Sequence, residues 1–163
     1  MTTIADGSYL ERMIAHLGGR DPMEALVDSA SRVEAVVRRL GPAGLRRAYG
    51  PGKWTGAQVL SHLTDSELTI GFRVRQILTQ QPHRIQEYDE AAWASLYPDI
   101  DVEAALAAFL AMRKWNLQLF RSLGPQQLAR VSFHPSRGEE TLAVLLRAFA
   151  GHTFNHLGQL ESL

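Results

Sequence analysis

The chain has 163 residues, which suits one domain over residues 1–163 and is long enough to bury a core. Seventeen basic residues balance seventeen acidic ones, so it lacks the basic surplus of a nucleic-acid binder, and the absence of cysteine excludes disulfides, thiolate ligands and a cysteine nucleophile. No apolar run nears the roughly 20 residues of a membrane-spanning helix, and the opening MTTIADGSYLERM lacks the basic-then-apolar plan of a signal peptide, so a soluble cytoplasmic protein is expected.

A short helix is expected around Tyr9 to His16. The first long helix runs from about Pro22 to Leu40, with Asp21 as N-cap, Pro22 at the first position and Glu24 completing a capping box. Leu26, Ala30, Val33, Val37 and Leu40 recur at steps of three and four, one helical face, and Gly41-Pro42 stops the helix. The second runs from about Gly56 to Thr79, with Thr55 and Gln58 as a capping box and Trp54 and Val59 placed for a hydrophobic staple. A short helix around Trp93 is expected between Tyr88 and Tyr97. The third long helix runs from about Val102 to Leu123, burying Leu106, Phe109, Leu110, Leu117 and Phe120, and Gly124-Pro125 ends it. Val131 to Gly138 reads as loop or short extended chain. The fourth runs from about Leu142 to the C-terminus, with Thr141 as its cap. Four amphipathic helices of about five turns each imply an all-α protein, a four-helix bundle with short extra helices in the connections.

The chemistry is concentrated in His152-Thr153-Phe154-Asn155-His156. Two histidines four apart share a helical face and can hold one metal ion. They continue the stripe Leu142, Leu145, Phe149, so they replace apolar residues where the core should be. A buried imidazole without a partner costs on the order of 1–3 kcal/mol. His62 lies seven residues past Thr55, about 10 Å along its helix at about 1.5 Å per residue. His156 is seven residues before the chain end. If the second and fourth helices are antiparallel, all three imidazoles meet near one end of the bundle. Three histidines without a fourth protein ligand describe an open site of the catalytic kind. Zinc, nickel, iron and manganese all accept nitrogen ligands. The alternative is a set of core histidines satisfied by neighbouring side chains.

Asp65 and Ser66, three and four residues after His62, are candidates to bond a ligand imidazole, and Gln159 to orient a ligand or substrate. Glu67 points away from His62 by helical angle and is read as an ion pair with Arg73 or another arginine. His16, His83 and His134 read as surface residues, with the pocket mouth as the second option for His134. Trp54, Trp93 and Trp115 read as packing, Asn155 as facing solvent, and Arg38-Arg39 and Arg46-Arg47 as solvated. No phosphate loop, nucleophile elbow or dinucleotide fingerprint is present.

Gly52-Lys53-Trp54-Thr55, then His62-Leu63-Thr64-Asp65-Ser66-Glu67, then His152 through His156 with Leu157-Gly158-Gln159, resemble the blocks of the DinB-like superfamily, which includes the YfiT-like metal-dependent enzymes. Arg73, Arg75, Tyr88-Asp89-Glu90 and the His134-Pro135…Gly138 loop add to the likeness, which covers most of the chain from the first long helix onward. The resemblance implies a four-helix bundle, a divalent metal (zinc or nickel) held by His62, His152 and His156, and a homodimer. It also implies a hydrolase, or a transferase or isomerase that uses a low-molecular-weight thiol such as bacillithiol, mycothiol or glutathione. With no cysteine in the chain, any thiol comes from such a cofactor. The substrate is expected to be a small molecule, with no nucleic acid and no membrane as partner. Two other readings stand beside this one: a non-catalytic metal-binding stress-response protein, and a dimer whose histidines are buried for packing.

Overall fold

The computed structural model describes residues 8–97 and 99–163. Its elements in chain order are α1 (Tyr9–Leu17), α2 (Pro22–Leu45), α3 (Gly56–Thr79), β1 (His83–Arg84), α4 (Glu90–Ala94), α5 (Val102–Phe120), α6 (Pro125–Leu128), β2 (Val131–His134), β3 (Gly138–Thr141) and α7 (Leu142–Glu161). The helix starts follow the capping chemistry. Ser8 and Glu11 bond reciprocally at α1, as do Thr55 and Gln58 at α3. Asp101 caps α5 and Thr141 caps α7. At α2 the Asp21 carboxylate accepts from the amides of Met23 and Glu24, so the cap is Asp21 alone and not the expected box.

The break expected at Gly41-Pro42 is present: Gly41 has φ 60° and ψ 179°, open only to glycine without strain. Pro42, which suits a first helical turn, then starts one more turn that runs to Leu45. α5 stops at Phe120, three residues short of expectation, and α6 follows Gly124.

Four helices form the bundle. α2 packs on α5, α5 on α3, α3 on α7 and α7 on α2, while α1 lies along α7. The N-terminal end of α3 meets the C-terminal end of α7, where a Cβ on Gly56 would fall 2.7 Å from the Leu163 side chain. These two helices are therefore antiparallel, which brings His62 level with the end of α7. α1 is drawn tightly against α7 at Gly151, where an added Cβ would sit 1.7 Å from the Met13 carbonyl oxygen.

The core has two apolar halves. One holds Leu26, Ile70, Val74, Phe120 and Leu146; the other holds Val33, Leu60, Leu63, Phe109 and Leu157. Between them lies a polar layer to which every bundle helix contributes: Ser29 from α2, Glu67 from α3, Arg113 and Asn116 from α5, and Thr153 from α7. The Arg113 side chain is 2% exposed and that of Glu67 is 0% exposed, so this pair is sealed from water. Its Nε donates to Glu67 Oε1 at 2.6 Å, while the other guanidinium nitrogens donate to Leu26 O, Ser29 Oγ and Thr153 Oγ1. Asn116 Nδ2 completes the Glu67 carboxylate at 3.0 Å. A buried ion pair persists only when its remaining donors and acceptors are satisfied, and here they are.

A small sheet was not foreseen. β2 pairs with β1 in parallel (His83↔Ser132) and with β3 in antiparallel register (Ser132↔Glu140). Its alternation is inverted: Ser132 and His134 point inward, while Val131 and Phe133 face outward, 41% and 37% exposed.

Candidate metal centre

His62 enters from α3 and His152 and His156 from successive turns of α7. The Nε2 atoms of His62 and His152 are 2.9 Å apart, and those of His152 and His156 are 3.1 Å apart. Ring centroids lie 4.4 to 5.0 Å from one another, with the planes steeply inclined. All three side chains are buried. The joint geometry sought in the sequence is therefore present: two distant stretches of chain bring three imidazole nitrogens to one point.

Burial dominates the electrostatics of this cluster. It presses the His62 pKa down to about 3, with the neighbouring His156 adding to the effect. It presses His156 down to about 4, against an opposing hydrogen bond to Gln159. His152 lies well below the ordinary range, through burial and then the charges of His156, His62 and Arg113. All three rings are therefore neutral at pH 7, the form that offers a nitrogen lone pair.

The neutral imidazoles serve one another poorly, because both close contacts converge on His152 Nε2. Each Nε2 either carries a proton or offers one lone pair, so with the His156 lone pair turned inward the two contacts at His152 share at best one bifurcated N–H. Gln159 Oε1 lies 2.8 Å from His156 Nδ1. A carbonyl oxygen only accepts, so His156 carries its proton on Nδ1 and turns its Nε2 lone pair to the cluster. His152 Nδ1 is buried with no hydrogen-bond partner. A cation that accepts all three lone pairs removes the conflict. The separations agree: two nitrogens bound at about 2.0–2.1 Å to one ion lie about 3 Å apart when they subtend roughly 90–100°. Three such ligands would leave part of the coordination sphere of an ion free for water or substrate. Among the described residues no fourth histidine, aspartate or glutamate joins the cluster.

Trp54 stacks near His156 and tilts against His62, with centroids 6.2 and 5.1 Å away, and Phe149 stacks on His152. These rings wall the cluster with apolar surface. Beside His152 opens a cavity of about 290 Å³ between α1, α3, α7 and the β2–β3 turn.

The other candidates fall in varied places. Gln159 contacts a ring nitrogen, as described. Asp65 Oδ1 accepts from the Tyr97 hydroxyl at 3.0 Å, and its Oδ2 has no partner. Ser66 Oγ donates to the main-chain oxygen of His62 at 2.7 Å. Neither bonds a ring nitrogen of His62. Glu67 pairs with an arginine, but the partner is Arg113, whose burial a sequence pattern does not signal. His134 and His83 are not surface residues: both are buried, and His134 lines the cavity. His16 and Asn155 are half-buried. Trp115 is exposed and packs into no core.

A family model described as the DinB superfamily matches residues 25–160, nearly the whole bundle and all three histidines. The chain belongs to the DinB superfamily. Within reach of it are curated relatives named "Putative metal-dependent hydrolase". The chain is 32% identical over 120 residues to one from Oceanobacillus iheyensis, covering 73% of this chain and 70% of the other. It is 29% identical over 143 residues to one from Bacillus mycoides, covering 86% and 82%. Among solved structures it resembles YfiT from Bacillus subtilis, described as "a probable metal-dependent hydrolase with an unusual four-helix bundle topology". The TM-score is 0.81 at 27% identity, over 86% of this chain and 82% of that one.

Proposed function

We propose that this DinB-superfamily protein is a metal-dependent enzyme acting on small organic substrates at an open centre formed by His62, His152 and His156. The observation that carries the proposal is the meeting of three neutral, buried Nε2 atoms, from two distant stretches of chain, at separations that suit one cation. The names of its relatives favour hydrolysis as the reaction. A divalent ion bound there, zinc or nickel by donor type, supplies a Lewis acid able to lower the pKa of a coordinated water or thiol toward neutrality.

The protein residues have separate tasks. His62, His152 and His156 would hold the ion through their Nε2 atoms. Gln159 fixes the tautomer and tilt of His156. Trp54 and Phe149 keep bulk water from the flanks of the cluster. The cavity beside His152 is the space next to the cluster in which a substrate would sit. Transfer of an external thiol to an electrophile uses the same centre, and the chain contributes no thiol of its own.

The test uses protein purified without a histidine tag, assayed for bound metal and for turnover. Amide and ester panels read hydrolysis; bacillithiol, mycothiol or glutathione with model electrophiles reads loss of free thiol. Metal-dependent turnover abolished by His62→Ala and His152→Ala is expected. Stoichiometric metal with no turnover in either panel would favour a metal-binding protein without catalysis. Sub-stoichiometric metal unchanged by the substitutions would overturn the reading.

A further inference from the structure

We propose that the cavity beside His152 is a carboxylate-binding subsite, in which Arg73 and Arg137 hold the acid group of an organic acid whose other end reaches the histidine cluster. The proposal rests on the reading above for the chemistry at the cluster and adds the class of substrate.

Two guanidinium groups from different parts of the chain line this cavity: Arg73 from α3 and Arg137 from the β2–β3 turn. Arg73 donates to the main-chain oxygen of Gln86 at 2.9 Å, and no carboxylate among the described residues is in ion-pair contact with it. Burial lowers its pKa, which marks a cation short of solvent. Arg137 spends one nitrogen on Glu140 Oε1 at 2.7 Å, while its buried Nε has no hydrogen-bond partner. Each guanidinium lies near a tyrosine ring, Arg73 at 5.7 Å from the Tyr88 centroid and Arg137 at 5.3 Å from Tyr9. Such contacts hold a planar fork in place before a ligand arrives.

His134 adds a third donor. Its Nδ1 accepts from the Ser136 amide at 3.2 Å, so the neutral ring carries its proton on Nε2, for which no described group is an acceptor. Two carboxylates also line the cavity, and partial burial raises the pKa of one, Glu90, against the charges of Arg73 and Arg137. Glu87 is half-exposed and accepts from Ser136 Oγ at 2.7 Å, and Glu90 is partly exposed. Cationic donors partly offset by nearby acids suit a singly charged carboxylate better than a doubly charged phosphate. The remaining wall, with Leu10, Ile70, Leu145 and Phe149, is apolar and matches the carbon body of an organic acid. A volume of about 290 Å³ holds a small one. The inward His134 at the end of β2, unexplained by core packing, forms part of the polar wall of the subsite.

Calorimetric titration of three acid–amide pairs (phenylacetate and phenylacetamide, benzoate and benzamide, propionate and propionamide) tests the subsite. Each is run on chelator-stripped and on zinc-loaded protein. At least one acid is expected to bind tenfold or more tightly than its amide in both forms. Arg73→Gln should remove that preference, and Arg73→Lys should restore part of it, with thermal melts confirming that both variants fold. Inorganic phosphate should displace the acid only weakly. No preference for any acid, a preference unchanged in Arg73→Gln, one present only with zinc, or tight phosphate binding without acid selectivity would overturn the proposal. Acid selectivity in a protein that binds no metal would sink the enzymatic reading and leave the subsite standing. Metal binding without acid selectivity would do the reverse.

Discussion

Replacing Arg113 with methionine tests how the bundle is held around the site. The substitution keeps an apolar stem of similar length and removes the charge. It deletes the 2.6 Å bond to Glu67 Oε1, the 2.6 Å bond to Leu26 O, and the contacts to Ser29 and Thr153 at 3.0 and 3.2 Å. Glu67 keeps only Asn116 as a side-chain donor and becomes an uncompensated charge with a fully buried side chain. Breaking one partner of such a pair costs about 3–5 kcal/mol. For a chain of this size that is a drop in Tm of roughly 6–20 °C. The double variant Glu67→Gln/Arg113→Met removes the stranded charge and should be more stable than the sum of the single effects by about 1.5–3 kcal/mol. Urea unfolding at pH 7, with the m-value checked for constancy, measures all three variants. A loss under about 1 kcal/mol for Arg113→Met, or additive single effects, would refute the claim that this layer clamps the four helices together.

Three further outcomes are expected. Gln159→Leu removes the acceptor on His156 Nδ1 and should weaken metal affinity by about 10–100-fold, read by competition with a chromogenic chelator. The metal-free protein should lose stability as pH falls below the ordinary histidine pKa of 6.5, because the unfolded chain takes up protons that the folded cluster refuses. With His62 folded at about 3, that residue alone accounts for about 2–3 kcal/mol between pH 6.5 and 4.5, and urea midpoints across this range that do not fall would contradict it. Gly151→Ala drives a methyl group into the Met13 carbonyl and should cost about 1–3 kcal/mol or more, or release α1, seen as faster proteolysis near Leu17; an unchanged melt and digest would show that α1 is not so closely seated.

Most of the bundle was legible because its signals are local. Capping residues and steps of three and four fix helix ends and buried faces, and Gly41 marked a real break even though Pro42 resumed the helix for a turn. The histidine pair was legible because polar residues on an apolar stripe need a reason, and equal distances from two helix ends suggested where His62 belongs. The sheet was not legible. Strand reading looks for apolar residues facing inward, and in β2 the inward residues are Ser132, bonded to the Glu140 main chain, and His134, which lines the cavity. The same inversion disguised His134 as a surface residue. Arg113 was missed because an arginine on an amphipathic helix normally marks the solvent side. Only the tertiary meeting with Glu67, 46 residues away, reveals that it is core.

The central claim is most directly tested by an anomalous-scattering map from crystals of untagged protein grown with saturating zinc or nickel. The expected result is one peak about 2.0–2.2 Å from Nε2 of each of His62, His152 and His156, with its remaining coordination facing the cavity beside His152. Well-ordered imidazoles with no peak between them, or metal bound only elsewhere, would contradict it.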